Sequence, residues 1–175
     1  MNNNEQLNNK RHSLAHLLAS AVLEQFPDTK LGIGPTIENG FYYDFVFSKP
    51  LTPEDLPKLE KRMQELAKSN LGFERQEKTA AEAKEFYSSN HFNNSQDFKI
   101  DLISELEKNG EQISFYQTGE FIDLCRGGHV ENTSKIEADS FKLDKLAGAY
   151  WRGDEKNPMM TRIYGLAFDT KDELN

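Results

Sequence analysis

The chain has 175 residues, the size of one domain or of one domain with a short appendage, and is long enough to bury a core without staples. Its single cysteine excludes an internal disulfide framework and favours a reducing compartment, and no apolar run approaches the roughly 18 residues of a membrane span. With 29 acidic against 21 basic side chains it is no general nucleic-acid coating protein, although a local basic patch remains open.

An amphipathic helix is expected from about Lys10 to Phe26. Leu14, Leu17, Leu18, Ala21 and Val22 share a broad apolar arc, Ser13, Ser20 and Glu24 form a narrow polar strip, and Pro27 ends the run. LGIGPTIENGFYYDFVF then reads as two short strands about a turn at Asn39-Gly40. In TPEDLPKLEKRMQELAKSN, Thr52 is a candidate N-cap, Pro53 fits the first helical position and Asp55 can close the cap. Leu56, Leu59, Met63 and Leu66 follow at helical spacing, and Gly72 lies beyond the end. GFERQEKT reads as a strand, AAEAKEFYSS and SQDFKIDLISELEK as shorter helices. EQISFYQTGEFIDLC reads as two strands divided at Thr118-Gly119, and SFKLDKLAGAYWRG and MTRIYGLAF as a strand-rich C-terminal part. The order lacks regular βαβ alternation. It predicts an α+β fold in two layers, helices packed on one face of a mostly antiparallel sheet.

Two short segments carry chemistry. His12 and His16 form H-x-x-x-H, which on a helix stacks the imidazoles roughly 5–6 Å apart at Cβ. Ala15 and Ala19 beside them leave room for a ligand. Ser13 stands where a zincin would need its glutamate. In FIDLCRGGHV, strand alternation sends Phe121, Asp123 and Cys125 to one face and Ile122 and Leu124 to the other. Gly127-Gly128 then favours a tight turn that folds His129 back towards Cys125. Three imidazoles and one thiol suit zinc in type and number. Without metal, the same groups supply a base near neutral pH and contacts for a small polar substrate. His91 has no partner at useful spacing and is expected at the surface.

HSLAHLL, IGPTIENGFYYDF, FIDLCRGGHV and KLAGAYWRGDEKNPMMTRIYG, with the spacings between them, closely resemble the N-terminal editing region of bacterial threonyl-tRNA synthetases, a domain with relatives in alanyl-tRNA synthetases. The resemblance runs from about Arg11 to Asp169. One departure is visible: Gly128 stands where the family usually carries proline, which should loosen the turn.

The resemblance implies hydrolysis of seryl-tRNA wrongly made on the threonine tRNA. His12, His16, Lys99, Asp123, Cys125 and His129 would carry the site, with Tyr43, Arg126, Gly127 and Gly128 as further substrate contacts. Asp123 would hold the seryl ammonium. Lys99, at the family's spacing before Cys125, would hold the terminal ribose or position water. A neutral imidazole, His12 first, or a ribose hydroxyl would direct water at the ester, and N–H groups near Gly127-Gly128 would steady the oxyanion. No metal is required in this reading; if zinc is present, His12, His16, Cys125 and His129 are its ligands. ATP and Mg2+ would belong to an aminoacylation core absent from this chain. Arg11, Lys99, Arg126, Lys142 and Lys145 are candidate cations for the tRNA acceptor end. The implied layout is an editing unit over 1–168 and the start of a linker helix over 169–175. The implied setting is a cytoplasmic parent enzyme, a homodimer with catalytic and anticodon-binding domains and no membrane contact. The alternatives are a freestanding deacylase acting in trans, and a non-catalytic tRNA-binding or zinc-stabilised module.

Overall fold

The computed structural model describes residues 2–175. Its first element, α1 (Asn3–Gln25), begins well before Lys10, where the periodicity predicted it. The early turns carry no apolar stripe to announce them. Their start is set by Asn2, whose side chain accepts from the Glu5 N–H at 2.8 Å. From Ser13 to Val22 every residue is buried, so the expected polar strip is largely absent; Ser13 is 0% exposed and only Glu24 of that strip reaches solvent. Here α1 is a central helix with a partner on almost every side.

Two dipeptide strands, β1 (Lys30–Leu31) and β2 (Thr36–Ile37), pair antiparallel with the same strand, β3 (Gly40–Val46). Backbone bonds bridge the gap, from Gly32 N–H to the Asp44 carbonyl at 2.7 Å and from Asp44 N–H to the Ile33 carbonyl at 2.9 Å. The pair is thus one strand bent at Gly32–Pro35, and the bend leaves Ile33 37% exposed beside the cavity described below. The hairpin loop consists of Glu38 and Asn39, one position earlier than expected, with Asn39 at φ 68. Gly40 is instead the first strand residue. A Cβ there would sit 1.8 Å from the Gly165 carbonyl oxygen, so close strand packing excludes any side chain.

The helix α2 (Leu56–Ala67) follows a single 3-10 turn, Pro53–Asp55, and the Asp55 carboxylate accepts from the Thr52 N–H at 2.9 Å as the sequence predicted. The next elements are β4 (Glu74–Glu77), α3 (Ala80–Ser88) and α4 (Asp97–Lys108). β5 (Ser114–Thr118) and β6 (Phe121–Leu124) come after them. Thr79 and Glu82 form a second reciprocal cap at the start of α3. The long strands β7 (Phe141–Tyr150) and β8 (Met159–Ala167) precede a final turn of helix, α5 (Lys171–Leu174).

The α+β class stands, but the strands form two antiparallel sheets rather than one. The larger has β8 between β3 and β7, with Tyr43 opposite Ile163, and carries β1 and β2 on the free edge of β3. The smaller runs β4-β5-β6. Each sheet has its own core. Leu14, Leu18, Phe41, Phe45, Leu59 and Ile163 belong to the first; Ala83, Tyr87, Ile103 and Phe115 belong to the second; Leu23 of α1 packs against both.

Helix α4 joins the halves. The buried Gln96 side chain accepts from the Leu31 N–H at 2.7 Å and donates to the Thr29 carbonyl at 3.1 Å. At the other side the tip of the β7-β8 hairpin docks on the helix. Trp151 Nε1 donates to Asp101 at 3.2 Å, and Arg152 pairs with both Asp101 and Glu105. Packed into the second core through Ile103 and tied to the larger sheet on two sides, α4 presents Lys99 and Leu102 to the space between the two cores.

Candidate functional site

That space is a cavity of about 310 Å³ walled by α1, the bent β1-β2 segment, β3, α4, β6 and the loop after it. His12, His16, Tyr43, Lys99, Asp123, Cys125, Arg126 and His129 all line it, brought from four places in the chain.

Its floor is a buried carboxylate. Asp123 is 3% exposed and accepts from the Tyr43 hydroxyl at 2.5 Å and the Tyr87 hydroxyl at 2.6 Å, one phenol on each oxygen. Lys99, 2% exposed, approaches both oxygens at 3.2 and 3.3 Å and lies 5.2 Å from the centre of the Tyr43 ring. Burial, reinforced by the charge on Asp123, pushes both phenols well above their ordinary range, so they remain donors. The alternation expected along β6 holds. Phe121 and Asp123 face inward, while Ile122 and Leu124 pack against the second core.

The wall beside it is a thiol between two imidazoles. Cys125 Sγ lies 3.2 Å from His12 Nε2 and 3.1 Å from His129 Nε2, and the two rings stack with centres 4.6 Å apart. Gly127 takes φ 113 and Gly128 φ 85, which turns the chain back and directs the Gly127 N–H to the sulfur at 3.3 Å. A Cβ on Gly127 would lie 2.6 Å from the Tyr116 hydroxyl. Proline cannot adopt φ 85, so the turn as built here could not be made with proline in place of Gly128.

Aromatic side chains dry this wall. His129 stacks on Phe73 at 4.6 Å, and His16 meets Phe121 edge-on at 4.7 Å. Burial lowers the His16 pKa to about 3 and that of His129 to about 2, with the neighbouring imidazoles adding to both. Burial also lowers His12, but hydrogen bonding to the backbone at Gly127 and Gly128 works against it. The Cys125 thiol is pushed up to about 11 by burial, offset in part by the Gly127 N–H. At neutral pH the wall is therefore three neutral imidazoles and a protonated thiol.

As a ligand set the wall is incomplete by one. The donor atoms of His12, Cys125 and His129 lie within 4.8 Å of one another, close enough to hold a metal ion; His16 lies outside that group. Its Nε2 is buried and makes no hydrogen bond. Three converging N and S donors with a fourth position open fit zinc in a catalytic style of coordination.

Residues 113–164 match the model of the threonyl and alanyl tRNA synthetase second additional domain. Over 164 residues, 94% of this chain, the sequence is 52% identical to the threonine–tRNA ligase of Dehalococcoides mccartyi, of which it covers 26%. It is 51% identical over 164 residues to that of Aromatoleum aromaticum, covering 25% of it. With that of Borreliella burgdorferi it shares 48% identity over 165 residues, covering 27%. The chain is thus similar to this synthetase domain family, the model match falling on residues 113–164. Over 94% of its length it is similar to threonine–tRNA ligases, in keeping with the resemblance to their N-terminal editing region, and it spans about a quarter of the length of the ligases it matches.

Within this editing-type domain the sequence candidates separate. Of the five cations proposed for tRNA, only Lys99 and Arg126 line the cavity. Lys99 is a buried ion-pair partner, not a surface charge. Arg126 is exposed and paired with Glu111 at 3.1 Å. Arg11 is half-buried and donates to the Ala167 carbonyl at 2.9 Å, while Lys142 and Lys145 are exposed along β7. His91 is at the surface, as expected. Two residues that shape the site were not singled out. Ser13 Oγ accepts from the Val130 N–H at 2.9 Å and lies 3.0 Å from His129 Nδ1, which orients that ring. Tyr87 holds Asp123 from behind. Nothing local distinguishes it from an ordinary core aromatic of α3. Among the described residues no helix is long and apolar enough to cross a membrane.

Proposed function

We propose that this domain proofreads threonyl-tRNA synthesis by hydrolysing the ester that joins a wrongly attached serine to the threonine tRNA. The observation that carries the reading is the convergence, on one small cavity, of the buried Asp123–Lys99 pair and the His12–Cys125–His129 wall. Serine is threonine without a methyl group, a difference that binding alone discriminates by roughly 10–200-fold. A second pocket that releases the smaller product supplies the rest.

In this reading Asp123 receives the seryl ammonium. Its phenol contacts are short, whereas Lys99 at 3.2 and 3.3 Å is longer than the ~2.7–2.9 Å of a close charge-assisted bond. The incoming ammonium therefore displaces Lys99 and not the phenols, and the freed amine turns to the terminal ribose or to water. His12 takes the proton from the attacking water. Among the three wall imidazoles, the backbone at Gly127 and Gly128 restores basicity to this one, whereas His16 and His129, at about 3 and 2, are poor bases. A ribose hydroxyl that orients the water would act alongside it. With its thiol near 11, Cys125 is protonated at neutral pH, which favours water over a covalent thioester route. The Gly127 N–H now serves the sulfur, so a developing oxyanion would compete with Cys125 for it.

The working unit in this proposal is 1–168, with 169–175 opening a linker helix. The partners are the acceptor end of tRNA and the remaining domains of a cytoplasmic, dimeric ligase. Incubation with seryl- and threonyl-tRNA(Thr) tests it. Selective release of serine supports the reading; binding of both without hydrolysis points to a tRNA-binding module that does not turn over.

One observation favours a second reading, a zinc-stabilised module: the three ligand atoms within 4.8 Å of one another. His12, Cys125 and His129 would hold the ion. When bound, zinc would supply a polarised water near neutral pH. Loss of the fold on chelation, with metal found in equal amount to protein, would favour this second reading.

A further inference from the structure

Tyr87 stands behind Asp123 rather than on the cavity wall. Its ring is fully buried in the second core, 5.1 Å from Phe86 and 5.5 Å from Phe115, and phenylalanine would pack there equally well. The hydroxyl needs another explanation. It donates to Asp123 Oδ1 at 2.6 Å and accepts from the Leu124 N–H at 2.7 Å. A phenol polarised by a backbone N–H is a stronger donor, and this one ties Oδ1 to the strand that carries it. Tyr43 grips the other oxygen at 2.5 Å. With one short neutral bond on each oxygen, the carboxylate cannot rotate towards Lys99, and the amine is left at 3.2 and 3.3 Å.

We propose that Tyr87 is a positioning residue for ammonium recognition, fixing the Asp123 carboxylate so that Lys99 stays exchangeable. This inference rests on the reading of Asp123 as the seat of the seryl ammonium. Without the hydroxyl, Oδ1 loses its short donor and Lys99 closes on the free lone pairs. An incoming ammonium must then compete with a tighter ion pair.

The test is calorimetric binding of 3′-deoxy-3′-(L-serylamino)adenosine, and of its analogue lacking the α-amino group, to the 175-residue chain and to Tyr87→Phe. The unsubstituted chain should prefer the amino compound, and Tyr87→Phe should cut that preference by about tenfold or more, the loss expected for a bond to a charged group. Affinity for the deamino analogue should hold. A purely structural role would weaken both ligands alike, so a preference unchanged in Tyr87→Phe overturns the proposal. If the unsubstituted chain does not distinguish the ligands, the assignment of Asp123 falls, and this inference with it. Should Tyr87→Phe unfold, 3-fluorotyrosine in place of Tyr87 decides: this stronger donor should raise the preference, and an unchanged value refutes the proposal.

Discussion

Removing the Lys99 ammonium should destabilise the domain as well as impair any reaction. The pair is 3.2 Å apart with both side chains almost wholly buried. At an effective dielectric of about 20, unit charges at that distance attract by about 5 kcal/mol. Breaking a buried pair from one side commonly costs about 3–5 kcal/mol, because the remaining charge has lost its compensation. In Lys99→Met the stranded carboxylate keeps both phenols, which places the cost near the lower figure. About 3 kcal/mol corresponds to roughly 6–12 °C in the melting midpoint of a domain this size. Asp123→Asn should cost more, nearer 5 kcal/mol, since among the described residues Asp123 is the Lys99 amine's only hydrogen-bond acceptor. Urea unfolding of the two single variants and of Lys99→Met/Asp123→Asn closes a double-mutant cycle, and a coupling of about 2 kcal/mol or more is expected. If both single variants unfold within about 0.5 kcal/mol of the unsubstituted chain, as exposed substitutions do, the pair is solvated in solution and the argument fails. It follows that lost serine release in Lys99→Ala is interpretable only beside its melting curve.

Acid should destabilise the fold through His16. Its pKa falls from 6.5 to about 3 on folding, so between those values the unfolded chain binds more protons. Stability is complete above about pH 6.5 and is lost as pH falls, by up to ~1.4 kcal/mol per pH unit for this one group. His129, lowered to about 2, acts in the same direction over the same range, so melting with chelator from pH 7 to pH 4 should show at least that slope; a flat profile would show that both imidazoles are hydrated. Gly127→Ala combines φ 113 with a Cβ 2.6 Å from the Tyr116 hydroxyl and should cost about 1–3 kcal/mol; an unchanged melt would mean that the turn relaxes freely. Cys125→Ser should keep serine release within about tenfold if water attacks the ester directly, whereas loss to background would restore the thiol as nucleophile. His12→Ala should abolish release with little change in melting midpoint, and retained release would transfer the base to the ribose.

How much of this was legible in the sequence depended on the distance over which each feature is decided. Thr52 with Asp55, and the strand alternation through Asp123, are set within a few residues, and both were readable. Division into two sheets is decided by Glu74–Glu77 pairing with Ser114–Thr118, which no local pattern encodes. The extra turns of α1 were missed because exposed asparagines carry no periodicity. Ser13 was assigned to solvent because a serine on a polar strip reads that way until His129 and Val130 arrive from another part of the chain. Lys99 makes the same point more sharply. From composition alone it is a solvated lysine, and only the resemblance picked it out. Its burial depends on a carboxylate from β6 and two tyrosines from β3 and α3. All these polar groups sit at the seam between two apolar cores, where local hydropathy is misleading because a charge is tolerable only if distant residues satisfy it. At the seam a small ammonium-bearing ligand would find a buried, charged and already organised floor in Asp123 and its partners. Lys99 and Tyr87, unlike the histidines, Asp123 and Cys125, are therefore legible only once the partners that satisfy them have been brought together.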